Sequence, residues 1–322
     1  MLMKPMPKIS IVIAVRHGQS TIPAIDAAKR LEYPKKLLEI LVARGMQPAV
    51  QRNKAIRKAT GEIIYFLDDD SLPDKGNLKR ALQHFSGMNA DIVGGPSICP
   101  KDAPQQEQLF HKVMGSWLAF GPSSARYRNT GRVRETNEKE LILCNLMVEK
   151  SIFLKHGGFD EALHPNEENA LMDMVEKGGG KLVYDPHIIV HRRPRHTTGQ
   201  FLDMLLGYGE GRAKQFRLHP SPNSFFNFLP AFFCFYLLLL PFLPLWTLWP
   251  LAVYGGMVLL QAFFLRHFPL YLRGTFALLI VLCHVCYGFG FSKGLFTPLK
   301  SHDSPSKAAA PVETIVPPYI QR

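Results

Sequence analysis

The chain has 322 residues, with 38 Lys and Arg against 26 Asp and Glu, a formal net charge of +12. That length is too great for one small domain and fits one large domain with an appendage. Mean hydropathy near zero would describe an ordinary soluble protein, but the stretch from Gly211 to His302, which holds no Asp or Glu, excludes that reading. After residue 218 there are six Lys or Arg and two Asp or Glu, so most of the positive charge lies before the apolar part. A basic surface beside an apolar tail suits an anionic membrane face and phosphorylated substrates. No nucleic-acid motif accompanies the charge, so nucleic acid is not an expected partner. Five cysteines, Cys99, Cys144, Cys234, Cys283 and Cys286, are an odd set placed largely in apolar sequence. They read as reduced packing residues, and the CxxC of Cys283 and Cys286 has no second pair to complete a zinc site.

In chain order, residues 9–15 form a β-branched run that predicts a strand buried on both faces, and not a cleavable signal peptide. A helix is expected over 22–31, a strand over 38–42, a helix over 51–59 and a strand over 62–67. This alternation predicts an α/β domain with a mostly parallel sheet, whose ligands bind beyond the carboxyl ends of the strands. A helix over 78–85 and a strand over 91–94 come next, then a less regular segment to about residue 140. Beyond it come a strand at 141–148, short helical stretches at 151–156 and 169–177, and strands at 181–184 and 188–191. Residues 225–264 are nearly unbroken apolar sequence; at roughly 20 residues per crossing they hold two membrane helices, with a turn near residues 244–250. A third candidate covers about 271–291, and the Pro-, Ser- and Ala-rich tail reads as disordered. The expected organisation is therefore a catalytic domain over 1–218, a membrane region over 219–295 and a tail over 296–322.

Asp68-Asp69-Asp70 stands at the carboxyl end of the strand EIIYFL, where an α/β sheet binds its ligand. Two carboxylates one residue apart can share a divalent cation, Mg2+ or Mn2+, that grips a diphosphate; the alternative is a solvated acidic turn. Asn166-Glu167-Glu168-Asn169 opens a later helix, where a carboxylate can accept the proton of an attacking hydroxyl or simply favour the helix dipole. Arg192, Arg193, Arg195 and Arg212 precede the first apolar span. They suit capture of a lipid-linked phosphate or the positive-inside signal of the span, and both can hold.

These segments resemble family 2 glycosyltransferases of GT-A fold. The resemblance covers roughly residues 7–215 and rests on SIVIAVRHG, on QRNKAIRKATGEIIYFLDDDSLPD and on GGFDEALHPNEENALMDMVEKGGGKLVYDPHIIVHRR. It implies a Rossmann-like catalytic domain in which Asp68 and Asp70 take the place of the metal-binding DxD, with His191 close to the metal or diphosphate. It places the catalytic base on Glu168, with Glu167 beside it. It puts Val15, Arg16, Arg52, Asn53 and Asp69 at the nucleotide-sugar site. The family's VDDGS-type element, whose Asp holds the nucleobase, is replaced here by VARGMQPAVQRN, so uridine is not implied. HRRPRHTTGQFLDMLLGYGEGRAKQ and HVCYGFGFSKG are similar to exopolysaccharide-type bacterial transferases with C-terminal membrane helices. That likeness implies an inner-membrane, multi-pass enzyme with a cytosolic catalytic domain. It would carry sugar from a nucleotide-sugar donor to a polyprenyl-phosphate or other lipid acceptor. The transfer would be inverting and, without a QxxRW element, non-processive. The rival readings are a nucleotidyltransferase and a membrane scaffold or transporter component. On topology, a third full span would export the tail with Lys293, Lys300 and Lys307, against the positive-inside trend; a re-entrant or interfacial third segment would not.

Overall fold

A computed structural model describes residues 5–19, 22–220, 222–266, 268–299 and 311–315. In chain order the elements are β1 Ile9–Arg16, α1 Pro23–Lys29, β2 Leu38–Gly45, α2 Pro48–Lys58, β3 Ile63–Asp68, β4 Leu72–Pro73, α3 Asn77–Gly87, β5 Ile92–Gly94 and β6 Ser97–Ile98. Next come α4 Gln105–Met114, α5 Trp117–Phe120, β7 Arg134–Thr136, β8 Leu146–Glu149, α6 Lys150–Lys155, α7 Glu167–Lys177, β9 Leu182–Tyr184 and β10 Val190–His191. The last are α8 Thr198–Leu218, α9 Leu229–Leu239, α10 Trp249–Phe263, α11 Leu270–Phe296 and β11 Val312–Ile315.

The chain packs as two units that do not follow chain order. The first comprises Met1–Pro100, Ala125–Arg193 and Lys300–Arg322; the second, Lys101–Ser124 and Pro194–Leu299. Among the described residues the first unit holds an eight-stranded sheet in the order β11-β2-β1-β3-β8-β5-β9-β7. β2, β1 and β3 run parallel, as do β5 and β9, while β8, β7 and β11 are antiparallel to their neighbours. The parallel half expected from the sequence is thus the half that carries the acidic triplet, and the sheet as a whole is mixed. Strand alternation sends Ile11, Ile13 and Val15 to one core with Tyr65 and Leu67, and Val12 to the other with Ile64 and Phe66. Burial of each such side chain contributes about 1.5–3 kcal/mol, which anchors β3 firmly behind Asp68. A second sheet, β4-β10-β6, joins the segment just after the triplet to the HIIVHRR segment.

The tail differs from its disordered reading at one place. Val312–Ile315, of which Val312, Thr314 and Ile315 are β-branched, pairs antiparallel with β2 from Val312↔Ala43 to Ile315↔Ile40. Glu313 takes a hydrogen bond of 3.1 Å from Arg44 Nε. The rest of residues 300–322 lies outside the described residues.

In the second unit, α8 packs along α11 through glycines. A Cβ at Gly209 would lie 2.1 Å from the Tyr287 carbonyl oxygen, and one at Gly290 would lie 2.1 Å from that of Leu206. Such close backbone approach is the packing mode of helices in lipid, where small residues replace the hydrophobic drive. Three stretches among the described residues are long and apolar enough to cross a membrane: Ser224–Phe242, Leu245–Phe263 and Leu270–Phe296. The break between the first two falls at residues 243–244, at the start of the expected turn. Large apolar side chains there, such as Leu238, Leu259 and Phe289, point outward, as a lipid-facing surface requires. Polar groups inside are paired: Tyr254 Oη to His284 Nδ1 at 2.7 Å, and Ser116 Oγ to Gln261 Oε1 at 2.9 Å.

Candidate active site

β3 delivers Asp68 at its last residue, and a tight turn fixes the rest of the triplet. Ser71 N–H donates to the Asp68 carbonyl at 3.1 Å, and the Ser71 hydroxyl accepts the Asp68 N–H at 3.3 Å. The Asp69 carbonyl accepts from Ala24 at the start of α1. Asp68 is partly buried, whereas Asp70 opens to solvent with 46% of its side chain exposed. The Asp70 carboxyl is raised above its ordinary value, first by desolvation and then, against the pull of Arg192, by the charges of Asp68 and Asp69. Negative charge is crowded here, as a cation site demands.

α2 runs beneath this turn and presents Arg52 from a buried position. Its Nη2 donates to Asp68 Oδ1 at 2.9 Å and its Nη1 to Glu167 Oε1 at 3.1 Å. One guanidinium therefore joins the acidic triplet to the first turn of α7, about a hundred residues away in sequence. Glu167 also has His164 Nδ1 at 3.6 Å from its other oxygen. Burial alone would raise the Glu167 carboxyl, but His164 and Arg52 outweigh it and hold the group below the ordinary value. Glu168, one residue on, makes no ion pair among the described residues. Burial, and next the charge of Glu167, push its carboxyl up to about 7, with Arg126 opposing. Two adjacent carboxyls are thus driven apart, one held ionised and one poised near neutrality, which is how sites separate electrostatic and proton-transfer roles. Asn166 enters the helix at φ 87°, a left-handed conformation that asparagine tolerates better than most residues, and its Oδ1 accepts from Asn169.

β10 ends at His191, and Arg192 follows it directly. His191 turns to Asp74, Nε2 to Oδ1 at 3.2 Å. Arg192 turns to the triplet: its Nη1 lies 3.2 Å from Asp68 Oδ2 and its Nε 2.6 Å from Asp70 Oδ1. The structure therefore does not gather Asp68, Asp70 and His191 into one metal-holding set, and no group of three or more His, Cys, Asp or Glu among the described residues does so. Asp68 and Asp70 still suit a hard divalent cation on their own, as two oxygen donors beside each other at an accessible strand end. A cation held there would draw its remaining ligands from a diphosphate and water, as Mg2+ commonly does.

Residues 18–157 match the sequence profile of glycosyl transferase family 2. The chain carries a glycosyltransferase domain that is similar to family 2 over those residues. The matched span includes Arg52, Asn53 and the Asp68–Asp70 triplet, while Glu167, Glu168, His191 and Arg192 lie beyond it. A "Pre-mycofactocin glycosyltransferase" of Mycobacterium tuberculosis is 25% identical over 177 residues, which is 55% of this chain and 36% of that protein. The chain thus spans little more than a third of the length of that relative. "Glycosyltransferase AglE" of Haloferax volcanii is 22% identical over 246 residues, 66% of this chain and 75% of that protein. Among solved structures, the mannosyltransferase PcManGT of Pyrobaculum calidifontis, in complex with GDP-Man and Mn2+, superposes with a TM-score of 0.56 at 14% identity. It covers 90% of this chain and 87% of its own, and it supports the GT-A fold. The family match sets aside the nucleotidyltransferase and scaffold readings.

Around this core of the glycosyltransferase domain, the other residues expected at the site take different places. Val15 ends the buried part of β1, its carbonyl accepting from Gln51 Nε2 at 2.9 Å, and Arg16 is exposed just beyond. Asn53 is committed elsewhere than expected. Its amide donates to the Phe159 carbonyl at 2.8 Å and to Glu161 at 3.0 Å, and accepts from the Phe159 N–H, so it braces the loop leading to α7. Arg192 parts from Arg195 and Arg212, which belong to the second unit; Arg195 is exposed and Arg212 half-buried on α8. Arg192, grouped with these two by sequence proximity, instead meets the triplet. Sequence reading also passed over His164 and Arg126. Arg126 donates to the Glu138 carbonyl and to Asn169 Oδ1, both at 2.6 Å, from within a segment that has no periodicity to flag it.

Proposed function

We propose that this chain is a membrane-anchored glycosyltransferase. It carries a sugar from a nucleotide-sugar donor to a lipid-linked acceptor, a polyprenyl phosphate or similar lipid, in cell-envelope or exopolysaccharide glycan synthesis. The transfer is inverting and non-processive. Residues 1–218 form the catalytic domain on the cytosolic side of the inner membrane, and 219–295 the membrane region. The observation that carries this reading is the split pair on α7, with Glu168 raised to about 7 and Glu167 held low, tied through Arg52 to the acidic triplet.

Glu168 deprotonates the acceptor hydroxyl as it attacks the anomeric carbon from the face opposite the leaving diphosphate. Asp68 and Asp70 would hold Mg2+ or Mn2+, which would neutralise the charge that develops on the diphosphate. Arg52 keeps Asp68 and Glu167 oriented. Val15, Arg16 and Asp69 line the donor side at the ends of β1 and β3. Arg195 and Arg212 serve the acceptor's phosphate, guanidinium being suited to bidentate phosphate contact.

The test is a hydrolysis and transfer screen of the detergent-purified full chain against nucleotide sugars with Mn2+, beginning with GDP-mannose, the donor held by the PcManGT structure. Turnover of one donor that chelator abolishes supports the reading. Chelator-resistant turnover removes the metal from it, and no turnover of any nucleotide sugar with lipid phosphate supplied would refute it.

A further inference from the structure

Arg192 spreads its donors over two carboxylates. Nη1 faces Asp68 Oδ2 and Nε faces Asp70 Oδ1, while the other oxygen of Asp68 is taken by Arg52. Only 28% of the Arg192 side chain is exposed, and both acids raise its affinity for its proton against the cost of burial. Its neighbour His191, the last residue of β10, pairs with Asp74 instead, so the guanidinium and not the imidazole meets the triplet. The oxygens that Arg192 engages are the ones through which Asp68 and Asp70 could jointly hold a divalent cation. Two cations cannot share them within hydrogen-bonding distance without strong repulsion.

We propose that Arg192 is the resident cation of the Asp68–Asp70 site. It competes with the divalent metal in the free protein and yields to it only when a diphosphate arrives to receive the guanidinium. The inference rests on the reading that these two carboxylates hold the metal. A diphosphate offers a planar fork several anionic oxygens at once, so the displaced guanidinium keeps its charge-assisted hydrogen bonds. Metal and donor then bind together: metal alone meets both Asp68 oxygens and Asp70 Oδ1 engaged by arginine, and the metal–diphosphate pair brings the replacement partner for Arg192.

The experiment is equilibrium dialysis of Mn2+ against the detergent-purified full chain, with bound metal quantified by electron paramagnetic resonance. It compares the wild type with Arg192→Met, Arg192→Lys and the Asp70→Asn control, each checked for an unchanged unfolding transition. Arg192→Met should bind Mn2+ alone at least tenfold more tightly than wild type. Arg192→Lys, which keeps the charge but loses the fork, should fall between them and covers the case that Arg192→Met does not fold. Adding inorganic pyrophosphate should tighten Mn2+ binding to wild type far more than to Arg192→Met. If wild type and both Arg192 variants bind Mn2+ alone equally and Asp70→Asn abolishes that binding, the metal site stands and the resident-cation proposal is overturned. If Mn2+ binds none of them, with or without pyrophosphate, the metal reading itself fails and the proposal with it.

Discussion

Lowering the pH interrogates Glu168 without changing a single residue. Its carboxyl stands at about 7, raised first by burial and then by the Glu167 charge. A base acts in its ionised form, so activity should follow the ionised fraction, ~10% at pH 6, ~50% at pH 7 and ~90% at pH 8. An ordinary glutamate, with a value of ~4.3, would be about 98% ionised at pH 6 and give no such limb. The assay is kcat/KM for sugar transfer by the full chain between pH 5.5 and 9, because that ratio reports groups in the free enzyme. Glu168→Gln preserves shape and removes proton acceptance; transfer should fall ~10²–10⁴-fold while donor binding persists. Glu167→Gln removes the second cause of the shift, so the Glu168 carboxyl should titrate lower and the acid limb move to lower pH. A wild-type profile flat down to pH 5.5 refutes the assignment. So does a Glu167→Gln variant more damaged in transfer than Glu168→Gln, which would put the base one residue earlier.

The remaining expectations concern the metal, the acceptor and the helices. Asp70→Asn should abolish Mn2+-dependent donor binding and leave the unfolding temperature unchanged, since Asp70 is exposed at a strand end; full affinity that remains chelator-sensitive would place the metal elsewhere. Arg195→Ala and Arg212→Ala should raise the acceptor KM and spare donor binding, and equal loss of donor binding would deny them an acceptor role. Gly290→Ala should lower the melting temperature in detergent, because its Cβ would meet the Leu206 carbonyl oxygen at 2.1 Å, whereas Gly274→Ala on the same helix meets nothing within 4 Å and should be neutral or better. Equal stability of the two variants would refute glycine-mediated packing of α8 on α11.

Much of the fold was legible in the sequence because it rests on periodicity and local chemistry. A β-branched run set β1, a strand ending in three aspartates set the triplet, and uninterrupted apolar sequence set the membrane stretches. What escaped depends on long-range placement. Nothing local says that β8 enters antiparallel between β3 and β5, nor that Val312–Ile315 returns to the edge of β2. At the site, the order of residues was readable but not their facing. The sequence set His191 by the metal and Arg192 by the acceptor phosphate, whereas His191 pairs with Asp74 and Arg192 with the triplet. Asn53 looked free for a ligand because its partners, Phe159 and Glu161, lie over a hundred residues away.

The facing of charges also decides between the two glutamates. Along the site the signs alternate: Glu167, Arg52, Asp68, Arg192, Asp70, each within 3.2 Å of the next. A carboxylate inside such a chain is stabilised in its ionised form and holds a proton weakly, so Glu167 is a poor base however near it lies to the substrate. Successive residues of a helix turn by about 100°, so the side chain after Glu167 cannot reach the same guanidinium with the same geometry. Glu168 receives the repulsion of its neighbour without Arg52's hydrogen bond. Burial first and the Glu167 charge next keep Glu168 basic, while Arg126 and Arg52 oppose them; on the proposed assignment that basicity lets it take a proton.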